Sequence, residues 1–170
     1  WQKEYKKSTG SAQADIFSML TRANQNEGFV ETILVQGLSS TNQQTRMAAA
    51  SEIAHKRNKK FTPALLDYLL RSKDDIELEA AKAALLQLAD KETGSLIIQK
   101  IETAQPKNKV ALLQILAARR AVDNFNVVAK HTSSNDPTVK DAAFEALPYV
   151  ASASNVAELL NMLAASENGK

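Results

Sequence analysis

One interval governs this chain. Alanines stand at Ala49, Ala80, Ala111 and Ala142, each 31 residues after the last, and the same step links Ala54, Leu85, Leu116 and Leu147. It also joins Leu66, Ile97, Val128 and Leu159, and again Leu70, Ile101, Thr132 and Leu163. Two apolar stripes with helical spacing therefore repeat in step, which marks a helical repeat array. No stretch shows the period-two alternation of a half-buried strand. The sequence predicts an all-α fold, an α-solenoid of about five stacked helical hairpins wound as a right-handed superhelix. A single hairpin cannot bury both of its stripes, whereas a stack lets each cover its neighbour.

The clearest unit runs from Asp136 to Leu147, with Asp136 as N-cap, Pro137 in the first turn, and Ala142, Ala143, Ala146 and Leu147 on one face. Small residues at the Ala pairs allow adjacent first helices to approach closely, so Ala81→Leu or Ala143→Leu should overpack the contact. Hairpins are expected at about 11–39, 41–72, 74–103, 106–133 and 136–165, within one domain spanning 11–165. The lead 1–10 reads as a linker or disordered segment and 166–170 as a polar tail. Thr41 with Gln44, and Asp74 with Glu77, have capping-box spacing, and Thr93 is placed to cap the second helix of the third unit. The turns between paired helices fall at His55 to Asn58, Asp90 to Glu92 and Arg119-Arg120. Pro148 should end or kink the last first-helix, because it cannot donate to the carbonyl of Phe144. Met162 should be partly exposed, with the parent chain continuing into a covering segment.

Val-Lys-Asp-Ala-Ala-Phe-Glu-Ala-Leu at Val139 to Leu147, preceded by Asp136-Pro137, resembles the short HEAT-like repeat of the armadillo-type superfamily; Ile76 to Leu85 is a looser match. Tetratricopeptide signature positions are missing. The ankyrin-like Thr62-Pro63-Ala64-Leu65 does not recur at Thr93 or Asn124. The resemblance implies a right-handed stack with the second helices lining a concave side. HEAT-like arrays also occur in DNA-base excision enzymes and in bilin lyases of light-harvesting antennae, but Trp1 lies outside the array, the expected concave ladder is mostly neutral and no lyase motif is present, which argues against both; such arrays also occur beside sugar-acting domains of bacterial extracytoplasmic proteins.

With 21 basic and 19 acidic side chains, the overall field points to neither nucleic acid nor membrane. Cysteine is absent, which removes disulfides, thiol nucleophiles and Cys-ligated metal sites and leaves the compartment open. The chain begins at Trp1 without Met and reads as a piece of a larger protein. It has no apolar run long enough to span a membrane and no signal-peptide pattern. The five glycines form no phosphate-cradling loop, and His55 and His131 lack metal-ligand spacing. Asp74, Asp75, Glu77 and Glu79 cluster at a helix start, where they complement its dipole. Asp67 shares its register with Ile98, Ala129 and Leu160 and is expected at a solvent-facing edge, because burying an unpaired carboxylate is costly.

These observations lead to a chain without catalytic residues, metal or cofactor, acting as an interaction or spacer module that binds a protein or an adjoining domain. The expected concave ladder is Tyr68, Gln99, Lys130 and Asn161, with Arg71 and Glu102 a turn later. An alternative is polyanion or nucleic-acid binding through Lys56, Arg57, Lys59, Lys60, Arg119 and Arg120, which lie at inter-helix turns two repeats apart and should share one edge. A second alternative is an accessory domain of a sugar-acting enzyme.

Overall fold

The computed structural model describes residues 2–23, 26–88 and 92–167, so the expected turn at Asp90, the polar tail from 168 and Trp1 lie outside the described residues. Among the described residues the secondary structure is helical throughout, with no strand. The α-helices are α1 Gln2–Lys7, α2 Gly10–Ala23, α3 Glu27–Gly37, α4 Gln43–Lys56, α5 Thr62–Arg71, α6 Asp75–Gln87, α7 Glu92–Ile101, α8 Pro106–Ala118, α9 Phe125–His131, α10 Pro137–Val150 and α11 Val156–Glu167. From α2 onward they pair as five successive hairpins at the predicted interval.

Contacts divide the chain into two compact units, Trp1–Ile97 and Ile98–Lys170, the division falling within α7. In the N-terminal unit the first helices stack directly, α2 on α4 and α4 on α6, while α3 packs on α4 and α5 on α6. Its core includes Phe17, Leu34, Ala49, Ala50, Ile53, Leu65, Leu66, Leu69, Ala81 and Leu85. Helices approach closely at Gly37, where an added Cβ would lie 2.5 Å from the Phe17 ring and 2.8 Å from the Ala49 Cβ. In the C-terminal unit α10 covers both α8 and α9. Ala111, Leu112, Ile115, Leu116, Val128, Val139, Ala143 and Val150 are buried there.

Several local expectations change. The lead is not a linker: α1 is helical, Tyr5 sets its ring 6.2 Å from that of Phe17, and Gln13 donates to the Tyr5 carbonyl. The cap of α4 is Asn42 and not Thr41, its side chain accepting from the Gln44 amide at 2.9 Å. Asp74 caps α6 alone, accepting from the amides of Ile76 and Glu77. Glu77, expected to complete a capping box, turns into the interior. Thr93 lies inside the first turn of α7 and does not precede it. Helix α10 does not end at Pro148 but runs on to Val150. Phe144 and Pro148 are both exposed, so the hydrogen bond the proline cannot make falls on the solvent side, where water can satisfy the carbonyl. Met162 is half-buried, as expected.

Two arginines end first-helices in an unusual way. Arg57 and Arg120 each have φ of 49°, the left-handed conformation that helix C-termini usually give to glycine. Their amides close the last turns on the Ala54 and Ala117 carbonyls. The chain has glycine at neither position.

Candidate functional site

The most organised polar constellation lies in the N-terminal unit, where α4, α5 and α6 meet. Arg46, one turn into α4, donates from Nε to Oε1 of Glu77 on α6 at 2.6 Å. Its Nη1 donates to the carbonyls of Ser40 at 2.7 Å and Thr41 at 3.1 Å, pinning the connection between α3 and α4. Tyr68 on α5 donates its hydroxyl to the same Glu77 oxygen at 3.1 Å, and Ser72 donates back to the Tyr68 carbonyl. Glu77 and Tyr68 are buried, at 6% and 2% exposure. Burial, and after it the Glu77 carboxylate, pushes the Tyr68 phenol above its ordinary range. The hydrogen bond to Glu77 likewise raises the Arg46 guanidinium. This arrangement holds a charge pair in place.

Two hollows that share lining residues lie here. One of about 200 Å³ is bounded by Leu38, Ser39, Arg46, Tyr68, Arg71 and Glu77. The other, about 370 Å³, adds Val35, Ala64, Asp67 and Leu70 and shares Leu38, Ser39 and Arg71 with the first. Val35 is 44% exposed. Arg71 lines both, its Nε donating to the Asp67 carbonyl at 3.1 Å and its Nη1 lying 3.4 Å from Ser39 Oγ. The result is a groove with an apolar floor and a guanidinium at its rim.

The expected ladder is brought together only in part. Tyr68 is a correction: its ring is buried and its hydroxyl is engaged by Glu77, so it presents no contact surface. Arg71 is exposed and lines the groove, and Asp67 is exposed as expected. Gln99, Glu102, Lys130 and Asn161 are exposed within the C-terminal unit. Lys130 Nζ lies 2.7 Å from Glu102 Oε1, and this hydrogen bond holds the Glu102 carboxyl below its ordinary range. Among the basic turn residues, Lys56, Arg57, Lys59 and Lys60 belong to the N-terminal unit and Arg119 and Arg120 to the C-terminal one. Lys60 pairs with Glu31, and Lys56 lines a hollow together with Glu27 and Glu31, which offsets the positive charge locally. Arg57 and Arg120 serve as helix terminators.

Sequence reasoning missed Arg46 and misassigned Glu77, although a signal was present. The two are 31 residues apart, hold the slot of Val139 in the last repeat, and carry opposite charges. Opposite charges in one slot of adjacent hairpins are placed to meet. Among the described residues no cluster of three or more His, Asp or Glu is arranged to hold a metal ion, and no helix is long and apolar enough to cross a membrane.

No protein-family model matches the chain, and no curated protein matches its sequence. Among solved structures, a chain from the complex of CpcE and CpcF of phycocyanin lyase from Nostoc sp. PCC7120 is similar, with a TM-score of 0.54 and 22% identity. The similarity is one of fold. It covers 88% of this chain but 63% of that one, so this chain spans less than two thirds of its structural neighbour. The neighbour confirms the helical-repeat architecture and overturns one expectation. A chain of this fold belongs to a lyase, so the absence of a catalytic motif gives no ground for denying this chain a part in catalysis.

Proposed function

We propose that the chain is the protein-binding component of a multi-chain assembly, gripping a segment of its partner in the groove between α3 and α5. The observation that carries this reading is the pairing, in one groove, of exposed apolar surface at Val35 with the Arg71 guanidinium, over a floor fixed by the Arg46–Glu77–Tyr68 network. A preorganised floor lowers the cost of binding, because little of the site has to be ordered when the partner arrives. The groove suits a segment offering one aliphatic or aromatic side chain to Val35 and Leu70 and a carboxylate to Arg71. The structural neighbour, found in a two-protein lyase complex, supports a role among protein partners.

The test is a photo-crosslinking amino acid placed at Val35, with the exposed Ala83 of α6 as control. Val35 should capture one protein that Ala83 does not, and Arg71→Glu should weaken binding of that protein in purified form by about tenfold or more. Equal capture from both positions, or indifference to Arg71→Glu, would sink the groove.

A further inference from the structure

The groove between α3 and α5 borders on the α3–α4 connection, and that connection is tied to the first helix of the chain. Gly10, at φ 59°, adopts the left-handed conformation open to glycine and offers its carbonyl to Asn42 Nδ2 at 2.8 Å. Asn42 Nδ2 also donates to Gln13 Oε1 at 3.0 Å, while Asn42 Oδ1 caps α4. Gln13 Nε2 donates in turn to the Tyr5 carbonyl at 3.2 Å. A carboxamide has one donor end and one acceptor end, so the Tyr5 carbonyl decides which end Gln13 presents to Asn42. Beyond Asn42, its amide donates to Ser40 Oγ at 3.1 Å, and Arg46 holds the Ser40 and Thr41 carbonyls. Ser39, one residue earlier, meets the Arg71 guanidinium at the groove rim. Partial burial raises the Tyr5 phenol above its ordinary range, against a hydrogen bond with the Ser40 side chain that lowers it, so the ring adjoins the same connection.

Helix α1 has six residues, and a helix that short does not persist alone in water. It therefore has two forms, folded on α2 or released as coil. What seats it is the Tyr5 ring beside Phe17, with Ser8 Oγ closing its end on the Glu4 carbonyl at 2.9 Å. We propose that α1 is a strap that controls the groove. Docked on α2, it holds residues 39–42, and with them the Ser39–Arg71 rim, in the arrangement that receives a partner segment; released, it leaves that rim loose. The inference rests on the groove being the binding site. By reciprocity, a segment bound in the groove holds α1 down. A two-state element, and not mere adjacency, carries the coupling.

Hydrogen exchange read by NMR tests this without a ligand. Tyr5→Ala removes the ring that seats α1, and Gln13→Leu cuts the link to Asn42 while leaving that ring in place. In both variants the Ser39 and Ser40 amides, bonded to the Gln36 and Gly37 carbonyls, and the Arg46 Nε–H should exchange about fivefold faster or more. The methyl resonances of Val35 and Leu70 in the groove should move, while the Leu85 amide of α6 should keep its parental rate. Tyr5→Phe retains the ring and the carbonyl and should stay close to the parent. Circular dichroism checks that each variant folds. Unchanged exchange at Ser39, Ser40 and Arg46 in either folded variant would overturn the proposal. So would an equal rise at Leu85, the mark of general destabilisation and not of one released strap. Neither readout involves a partner, so the strap can fail while capture at Val35 succeeds, and the reverse.

Discussion

The slot held by Arg46 and Glu77 in the N-terminal unit is held by Asn108 and Val139 in the C-terminal unit. All four come from first-helices at the same register, and Glu77, Asn108 and Val139 are 6%, 3% and 1% exposed. At Val139 the slot is apolar and non-directional, so any side chain of similar volume fills it. At Arg46 and Glu77 it is an ion pair between a half-buried guanidinium and a buried carboxylate, whose geometry also fixes Tyr68 and the α3–α4 connection. Pairs of this kind add little net stability, because desolvation offsets the attraction, but they are costly to break from one side. The period therefore determines where a side chain goes without determining what it does there. The polar version of the slot adjoins the groove.

The largest expected effect comes from breaking the pair on one side. Glu77→Ala leaves the buried Tyr68 hydroxyl without its acceptor and the half-buried Arg46 guanidinium with only the Ser40 and Thr41 carbonyls, and should cost about 3 kcal/mol in urea denaturation. Val139→Ala should cost only about 2 kcal/mol. The triple change Arg46→Met, Glu77→Leu, Tyr68→Phe removes the charge pair and the phenol together, leaves the Ser40 and Thr41 carbonyls to solvent, and should recover most of the loss. If it is as unstable as Glu77→Ala alone, the slot is not interchangeable and the comparison fails. Next in size is Gly37→Ala, which forces a methyl against Phe17 and Ala49. The expected loss is about 1–3 kcal/mol, and a variant as stable as the parent would show that α3 can shift freely.

The pH dependence sharpens the same contrast. The folded phenol of Tyr68 lies above its unfolded value of about 10, so its contribution is fully present below that pH. Above it the unfolded chain loses the proton while the folded chain keeps it, and stability falls as pH rises through the folded value. Urea midpoints measured from pH 8 to 11 should show this decline, and Tyr68→Phe should reduce it. The smallest effect concerns Arg57. Arg57→Gly relieves a left-handed conformation at the end of α4 and should add about 0.5–1 kcal/mol, read as a small rise in melting temperature. Arg120→Gly should act alike in the other unit, and a loss in either would mean that the arginine contributes contacts outweighing its backbone strain.

Helix class, hairpin number and most of the core were legible because the interval and the apolar stripe both report burial, and burial drives the fold. Ala49, Ala81, Ala111 and Ala143 lie where their register puts them. Capping was legible where a side chain has one partner within reach, as at Asp74 and Asp136. It misled at Glu77, where a long carboxylate had both a local amide and a distant guanidinium available and the distant charge won. Tyr68 failed for the same reason: polar at its tip and apolar in its body, it reads as a surface residue until the acceptor one element away is known. Residue types alone also gave no ground for denying catalysis, since a chain of the same fold belongs to a lyase.

The two left-handed arginines have a consequence for how the chain meets proteases. Each is an exposed trypsin target at the bend of a hairpin, Arg57 before Asn58 and Arg120 before Ala121. A 3-10 turn starts at Lys59 beyond the first and at Val122 beyond the second. A backbone that curls in this way does not fit the extended channel of a protease, so scission at either bond must wait for that bend to unravel. When unravelling is fast and reversible, the rate of nicking reports the free energy of opening at that bend. Because Arg57 lies in one unit and Arg120 in the other, the rates of these two cuts in a single digestion give separate readings of opening at one bend of each unit.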